Sequence, residues 1–224
     1  MKTIGILGGM GSYATCAIFR RLLDAFPAEK EWDRPRILID NNCAMPSRVR
    51  AILYGEHEER LVREMSESVE HLAAAGADRI LLGCMTAHYF LPRLPHQDKL
   101  MDVLAETRRE IAGRWSPGTE IACLCTEGSV QTGIWEKALW GYTVRYPDAE
   151  GMARLREFIE AVKQNRVTGE TKRAFSQFAE AQPGQCVLLG CTELPLLVEE
   201  GGLKWELVDP IACAIQYLKG DCST

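Results

Sequence analysis

Two stretches of the chain repeat one pattern. Ile80–Cys84 reads ILLGC and Val187–Cys191 reads VLLGC, with Thr86 and Thr192 close behind the cysteines. Each is an apolar run suited to a buried strand, then a glycine, then a thiol. Glycine lets backbone approach a ligand closely. Amides at the start of a following helix would favour a thiolate and anionic substrate groups. Two thiols in matched positions suit proton transfer at carbon. One, as thiolate, removes a proton from one face; the other, as thiol, returns a proton to the opposite face, and the centre inverts. A cysteine near its free pKa is only a few per cent thiolate at neutral pH. Such a site must therefore bias one thiol to ionise, and must stabilise the carbanion with oriented amides and hydroxyls. Thr86 and Thr192 are placed to bind a carboxylate. A Cys84–Cys191 disulfide is the competing reading. It requires Cα atoms within about 7 Å and leaves no room for a substrate. Cys16, Cys123, Cys186 and Cys213 read as small buried hydrophobes.

The elements that must carry these thiols alternate. Thr3–Gly9, Arg36–Asp40 and Arg79–Gly83 read as strands, with helices over Thr15–Ala25 and His57–Ala75, the latter stopped at Gly76. After a break at Pro92 and Pro95, the pattern predicts a helix over Lys99–Gly113 and strands at Glu120–Cys125, Tyr142–Tyr146 and Gln185–Gly190. Helices follow at Ala149–Gln164 and Thr171–Ala181. A late strand, Trp205–Val208, precedes Asp209-Pro210 and a terminal helix. Strand–helix alternation implies βαβ units and parallel sheets. The second half repeats the logic of the first. The expected fold is α/β, with two pseudo-symmetric doubly wound lobes facing one cleft. The boundaries expected are residues 1–96 for the first lobe, 97–208 for the second, and 209–224 crossing back to the first. Ligands bind outside the carboxyl ends of strands in open parallel sheets. Gly8–Gly11, Asp40–Asn42, Cys84, Thr126–Ser129 and Cys191 all sit at such ends.

Composition narrows the partners. The 224 residues carry a net charge of −5, so no basic footprint for nucleic acid or an anionic membrane is present. An anionic ligand would need local positive charge. The nine cysteines are odd in number, and MKTIGILGGMGS lacks the pattern of a signal peptide. Reduced thiols and a cytoplasmic protein are expected. No apolar stretch approaches a bilayer span. Cys123 and Cys125, and Cys186 and Cys191, miss the spacings of zinc ligands, so no metal is expected.

Four motifs together resemble the aspartate/glutamate racemase family: GILGGMGSYAT from Gly5, Pro46-Ser47-Arg48, GCMTAH from Gly83, and GCTEL from Gly190. They fall in the family's order and span essentially the whole chain. The likeness is closest to the aspartate-racemase-like branch, because wall-synthesis glutamate racemases carry His where this chain has Glu193. The resemblance implies a cofactor-independent two-cysteine amino-acid racemase, usually a homodimer. Cys84 and Cys191 match the acid–base pair. Met10, Gly11, Thr86, Thr126 and Thr192 match the substrate lining, and Asn41 a polar position near the α-group. Arg48 matches an arginine that grips the distal carboxylate, as a guanidinium does well. Lys163 resembles a lysine with the same use. Glu193 either orients the second thiol or holds its loop, and neutral His88 is a structural partner at a helix start. Departures bear on substrate identity: Met85 replaces a usual Asn, Ser12 a usual Pro, and Cys43 and Ser47 stand where many relatives have Pro and Asp.

Other readings compete. Gly9-Met-Gly11-Ser-Tyr-Ala14 fits a dinucleotide fingerprint, although the interval to Asp40 exceeds the roughly 20 residues expected. Related architectures isomerise maleate, racemise hydantoins or decarboxylate malonates with a single cysteine, and fold does not fix chemistry. A non-catalytic acid-binding or redox-sensing module is the third alternative.

Overall fold

The computed structural model describes residues 1–199 and 206–222. The first sheet holds β1 (Ile4–Gly8), β2 (Ile37–Asn41) and β3 (Arg79–Leu82) in the order β2-β1-β3, all parallel. The second holds β4 (Glu120–Leu124), β5 (Thr143–Arg145), β6 (Cys186–Leu189) and β7 (Glu206–Val208) in the order β5-β4-β6-β7, also parallel. Strand β4 corresponds to β1, β5 to β2 and β6 to β3. The two cysteine motifs thus leave equivalent strands of equivalent sheets. Every residue of β1 and of β6 is buried, as strands covered on both faces require.

Nine α-helices cover the sheets among the described residues: α1 (Ser12–Ala25), α2 (Arg48–Tyr54), α3 (Glu58–Ala74), α4 (Val103–Arg114), α5 (Glu127–Thr132), α6 (Ile134–Ala138), α7 (Ala149–Lys163), α8 (Gly169–Glu180) and α9 (Pro210–Cys222). Helix α3 buries Leu61, Met65, Val69 and Leu72 at helical spacing. It ends where Gly76 turns to φ 97°, and Ala77 N–H bonds back to Leu72 O. None of the helices is long and apolar enough to cross a membrane.

One sequence expectation needs correction. The helix expected from Lys99 begins at Val103, because Asp102 caps it by accepting from Ala105 N–H. Lys99 instead ends a turn and Leu100 makes an isolated parallel bridge to Ile80 of β3, where Ile80 N–H reaches Lys99 O and Met101 N–H reaches Ile80 O. The last strand joins the second sheet, where Leu188 of β6 pairs with Val208 of β7. Trp205, placed in that strand from sequence, lies outside the described residues. Short helix α2, capped by Ser47, and the pair α5–α6 had no clear sequence signal.

The core joins the lobes. Ile4 and Ile6 of β1, Ile121 and Cys123 of β4, and Ile211, Ala214, Ile215 and Leu218 of α9 belong to one buried cluster. At the end of α9, Asp221 meets Lys2 at 2.7 Å and Arg79 of β3 at 2.8 Å. The terminal helix therefore fixes how the second half sits on the first. Leu218→Ala empties a fully buried position of this helix. It is expected to cost about 2–5 kcal/mol in denaturant unfolding; a loss well under 1 kcal/mol would mean α9 is peripheral.

Candidate active site

Both cysteines are presented by the same device. Gly83 follows β3 and donates its N–H to Leu7 O of β1 at 2.8 Å. A Cβ there would sit 3.2 Å from that carbonyl. Gly190 follows β6, and a Cβ there would lie 3.2 Å from Leu124 O of β4, 3.0 Å from Cys125 Cβ and 2.8 Å from the Trp135 ring nitrogen. Each glycine presses a strand end onto its central neighbour and sends the next side chain beyond the sheet edge. All nine cysteines are free thiols. Cys84 is half-buried and Cys191 is buried.

Contacts across the cleft bring the two strand ends together. Thr192 Oγ1 donates to Gly83 O at 3.2 Å, joining the second motif to the first. Thr86 Oγ1 shares a hydrogen bond with Thr126 Oγ1 at 2.8 Å and lies 3.2 Å from Ser129 Oγ. Thr126 also caps α5 through Ser129 N–H. Ser129 is fully buried and was not singled out as a site residue. Its only sequence signal is its place in the small polar stretch after β4.

The glycine loop closes the site from the first lobe. Gly9 takes φ 79°, and a Cβ there would overlap the Asn42 backbone. A Cβ on Gly11 would overlap Glu193 Oε1. These glycines are used to pack protein against protein, which argues for a small ligand over a dinucleotide. Met10 is buried, and its carbonyl accepts from Arg48 Nη2 at 2.6 Å. Arg48 Nη1 reaches Pro46 O at 3.0 Å, while Arg48 Nε is buried without a partner. Arg48 thus braces the loop through two backbone carbonyls. Asn41 Nδ2 donates to Ser12 Oγ at 3.0 Å and to Cys43 Sγ at 3.3 Å, so the two substituted positions and Asn41 form one polar cluster.

Charge gathers around the second thiol. Cys191 Sγ donates to Glu193 Oε2 at 2.9 Å, and Glu193 is 3% exposed. Burial pushes the Cys191 thiol well above the ordinary cysteine range; the Glu193 carboxylate and then Cys84 push the same way. Lys163, at the end of α7, pairs with Glu160 at 3.2 Å. Burial alone would lower its pKa, but Glu193, Cys191 and Glu160 together raise it. His88 Nδ1 lies 3.0 Å from Cys84 O, which requires the tautomer that donates from this nitrogen. Burial lowers the His88 pKa, so the ring stays neutral and supports the Cys84 backbone. Among the described residues, no three His, Cys, Asp or Glu side chains converge as metal ligands would.

Two parallel sheets, each with a cysteine just beyond the end of the equivalent strand, define a two-sheet α/β protein. The family described as Asp/Glu/Hydantoin racemase matches residues 7–218, and the chain belongs to that family of isomerases. Its fold is similar to that of Picrophilus torridus aspartate racemase, with 23% identity over 98% of this chain and 95% of that one, at a TM-score of 0.84. An aspartate racemase homologue from Pyrococcus horikoshii OT3 matches over 100% of both chains with 21% identity and a TM-score of 0.75. Glutamate racemase from Francisella tularensis, solved with D-glutamate, shares 15% identity over 99% of this chain and 81% of that one, at 0.66. At these identities the likeness is one of fold.

The loop geometry makes a direct test. Gly9→Ala forces a side chain into a positive-φ position and against Asn42. Unfolding free energy is expected to fall by at least about 1–3 kcal/mol; a variant as stable as the parent would contradict the packed loop.

Proposed function

We propose that the chain is a cofactor-independent racemase for an acidic amino acid, aspartate or glutamate, with Cys84 and Cys191 as its two proton-transferring groups. What supports this reading is that two cysteines follow equivalent strands of the two sheets, and that the second motif is joined to the first by the Thr192 Oγ1 to Gly83 O hydrogen bond at 3.2 Å. With Cys84 as thiolate, the α-carbon–hydrogen bond breaks and a sulfur–hydrogen bond forms on Cys84. The thiol of Cys191 then releases its proton to the opposite face of the carbon. The environment that keeps Cys191 protonated suits it to this role as acid. The reverse direction exchanges the roles.

The remaining residues bind and stabilise. The hydroxyls of Thr86, Thr126 and Thr192 serve the α-carboxylate and the charge that develops beside it. Asn41 serves the α-amino group. Arg48 and Lys163 supply the local positive charge that a distal carboxylate needs, with Arg48 releasing a carbonyl or using its unpartnered Nε. A cytoplasmic setting, a homodimer, and a first lobe completed by residues 209–224 belong to the same proposal.

Cys84→Ala and Cys191→Ala should each lower racemisation of aspartate and glutamate by about 10²–10⁴-fold, read by chiral chromatography. Near-parental turnover in either variant would exclude the two-thiol mechanism. Arg48→Ala should raise KM for an acidic substrate about tenfold more than for a neutral amino acid, a difference close to 1.4 kcal/mol of binding, the smaller shared loss reflecting the loop it braces. Equal effects on both would remove Arg48 from the distal carboxylate.

A further inference from the structure

A second cavity opens beside the first cysteine motif, between the short 3-10 helix Thr86–Arg93, helix α4 and helix α6. Its volume is about 460 Å³, within the range of small-molecule sites. Among the described residues that line it, none is assigned to the substrate. Cations and aromatic rings stand at its walls. The Arg108 guanidinium sits 3.7 Å from the centre of the Trp140 ring, and its Nη1 donates to Trp140 O at 2.5 Å. Trp140 is nevertheless 69% exposed, and Tyr89 44%. Lys137 Nζ donates to Thr132 O at 2.8 Å, which uses one of its three protons. Asp102 also lines the cavity, but its Oδ1 is engaged in capping α4 through Ala105 N–H at 3.0 Å. The walls thus carry more positive than negative charge, in a protein whose net charge is −5.

The same walls touch the backbone that holds both thiols. His88 borders the cavity and is 5% exposed. Its Nδ1 donates to Cys84 O at 3.0 Å. That tautomer makes Nε2 an acceptor, and Nε2 is buried with no partner. A buried polar atom without a partner calls for an explanation, and a donor that reaches it through this wall supplies one. On the opposite side, Ile134 of α6 borders the cavity. Its neighbour Trp135 is fully buried against Gly190, where a Cβ would lie 2.8 Å from the ring nitrogen. A push on α6 therefore reaches the glycine that presents Cys191.

We propose that this cavity is an effector site for a small aromatic anion bearing a hydroxyl group, and that its occupancy is transmitted to the strand ends that hold Cys84 and Cys191. The ligand's ring stacks on the bare surface of Trp140 and Tyr89. Its anionic group meets Arg108 and Lys137. Its hydroxyl donates to His88 Nε2. The ligand acts by favouring one setting of the His88 ring, and so of the Cys84 carbonyl, over another. Binding stands apart from the two-thiol reading; an effect on racemisation rests on it.

The probe is 4-hydroxyphenylacetate, titrated into the whole protein by calorimetry. Cyclohexylacetate lacks its aromatic face, and 4-hydroxyphenylethanol lacks its charge. The probe should bind with a Kd below about 1 mM, and each control about tenfold more weakly. Arg108→Ala should weaken the probe about tenfold, and Trp140→Ala, at an exposed position, stands in if that variant does not fold. Arg48→Ala should leave probe binding unchanged. Absence of binding, or equal binding of the controls, overturns the proposal. Binding lost in Arg48→Ala and kept in Arg108→Ala would place the probe in the substrate cleft and overturn it too. Transmission is read by the rate at which iodoacetamide alkylates Cys84, followed by mass spectrometry and needing no turnover. Saturating probe should change that rate about fivefold in the parent and not in Arg108→Ala. Binding with an unchanged rate removes the effector role and leaves the racemase reading intact. A changed rate in a protein that racemises nothing upholds the site and removes the reading on which its effect on catalysis rests.

Discussion

The site depends on a steric constraint at two glycines. At Gly83 and Gly190 the chain leaves a strand while pressed against the carbonyl of the central strand beside it. A side chain at either position would push the strand end outward and carry the thiol with it. Because the constraint operates on equivalent strands of both sheets, it presents a cysteine at the same strand end of each. The Thr192–Gly83 contact and the cluster of Thr86, Thr126 and Ser129 hydroxyls hold the two ends in register. The shared core beneath, with α9 across both halves, keeps the lobes from sliding.

Electrostatics makes the matched thiols unequal. Cys84 is half-buried, whereas Cys191 is enclosed and hydrogen-bonded to a carboxylate. Burial and a neighbouring negative charge both disfavour ionisation of the second thiol. The same logic applies to the substrate. A protein with a net charge of −5 offers no long-range attraction to an anion, so on the proposed reading Arg48 and Lys163 act at contact range.

Much of this was legible in the sequence because strand ends, glycines and cysteines are local signals. The ILLGC and VLLGC runs announced two buried strands and the thiols that leave them. Gly76 marked the end of α3 because a positive φ there favours glycine. What escaped depends on distant pairing. Residues 99–101 read as helix because their bonds run to Ile80, which no local pattern reveals. Ser129 looked like loop polarity until its hydroxyl met Thr86 from the other lobe. The bonds of Arg48 to the carbonyls of Pro46 and Met10 likewise have no local signal. Glu193 was named as a thiol-orienting residue, but its unpartnered Oε1 and its fit over Gly11 are properties of the folded cleft.

The central claim is proton transfer to opposite faces of one carbon by two separate groups. The most direct measurement follows the α-hydrogen by NMR and mass spectrometry when a single enantiomer of aspartate or glutamate is incubated in D₂O without added cofactor. The account predicts that newly formed opposite enantiomer carries solvent deuterium while the remaining substrate stays unlabelled at early times. Equal early labelling of substrate and product, or product that keeps its original hydrogen, would point to a single base. No exchange with either amino acid would contradict the assignment itself.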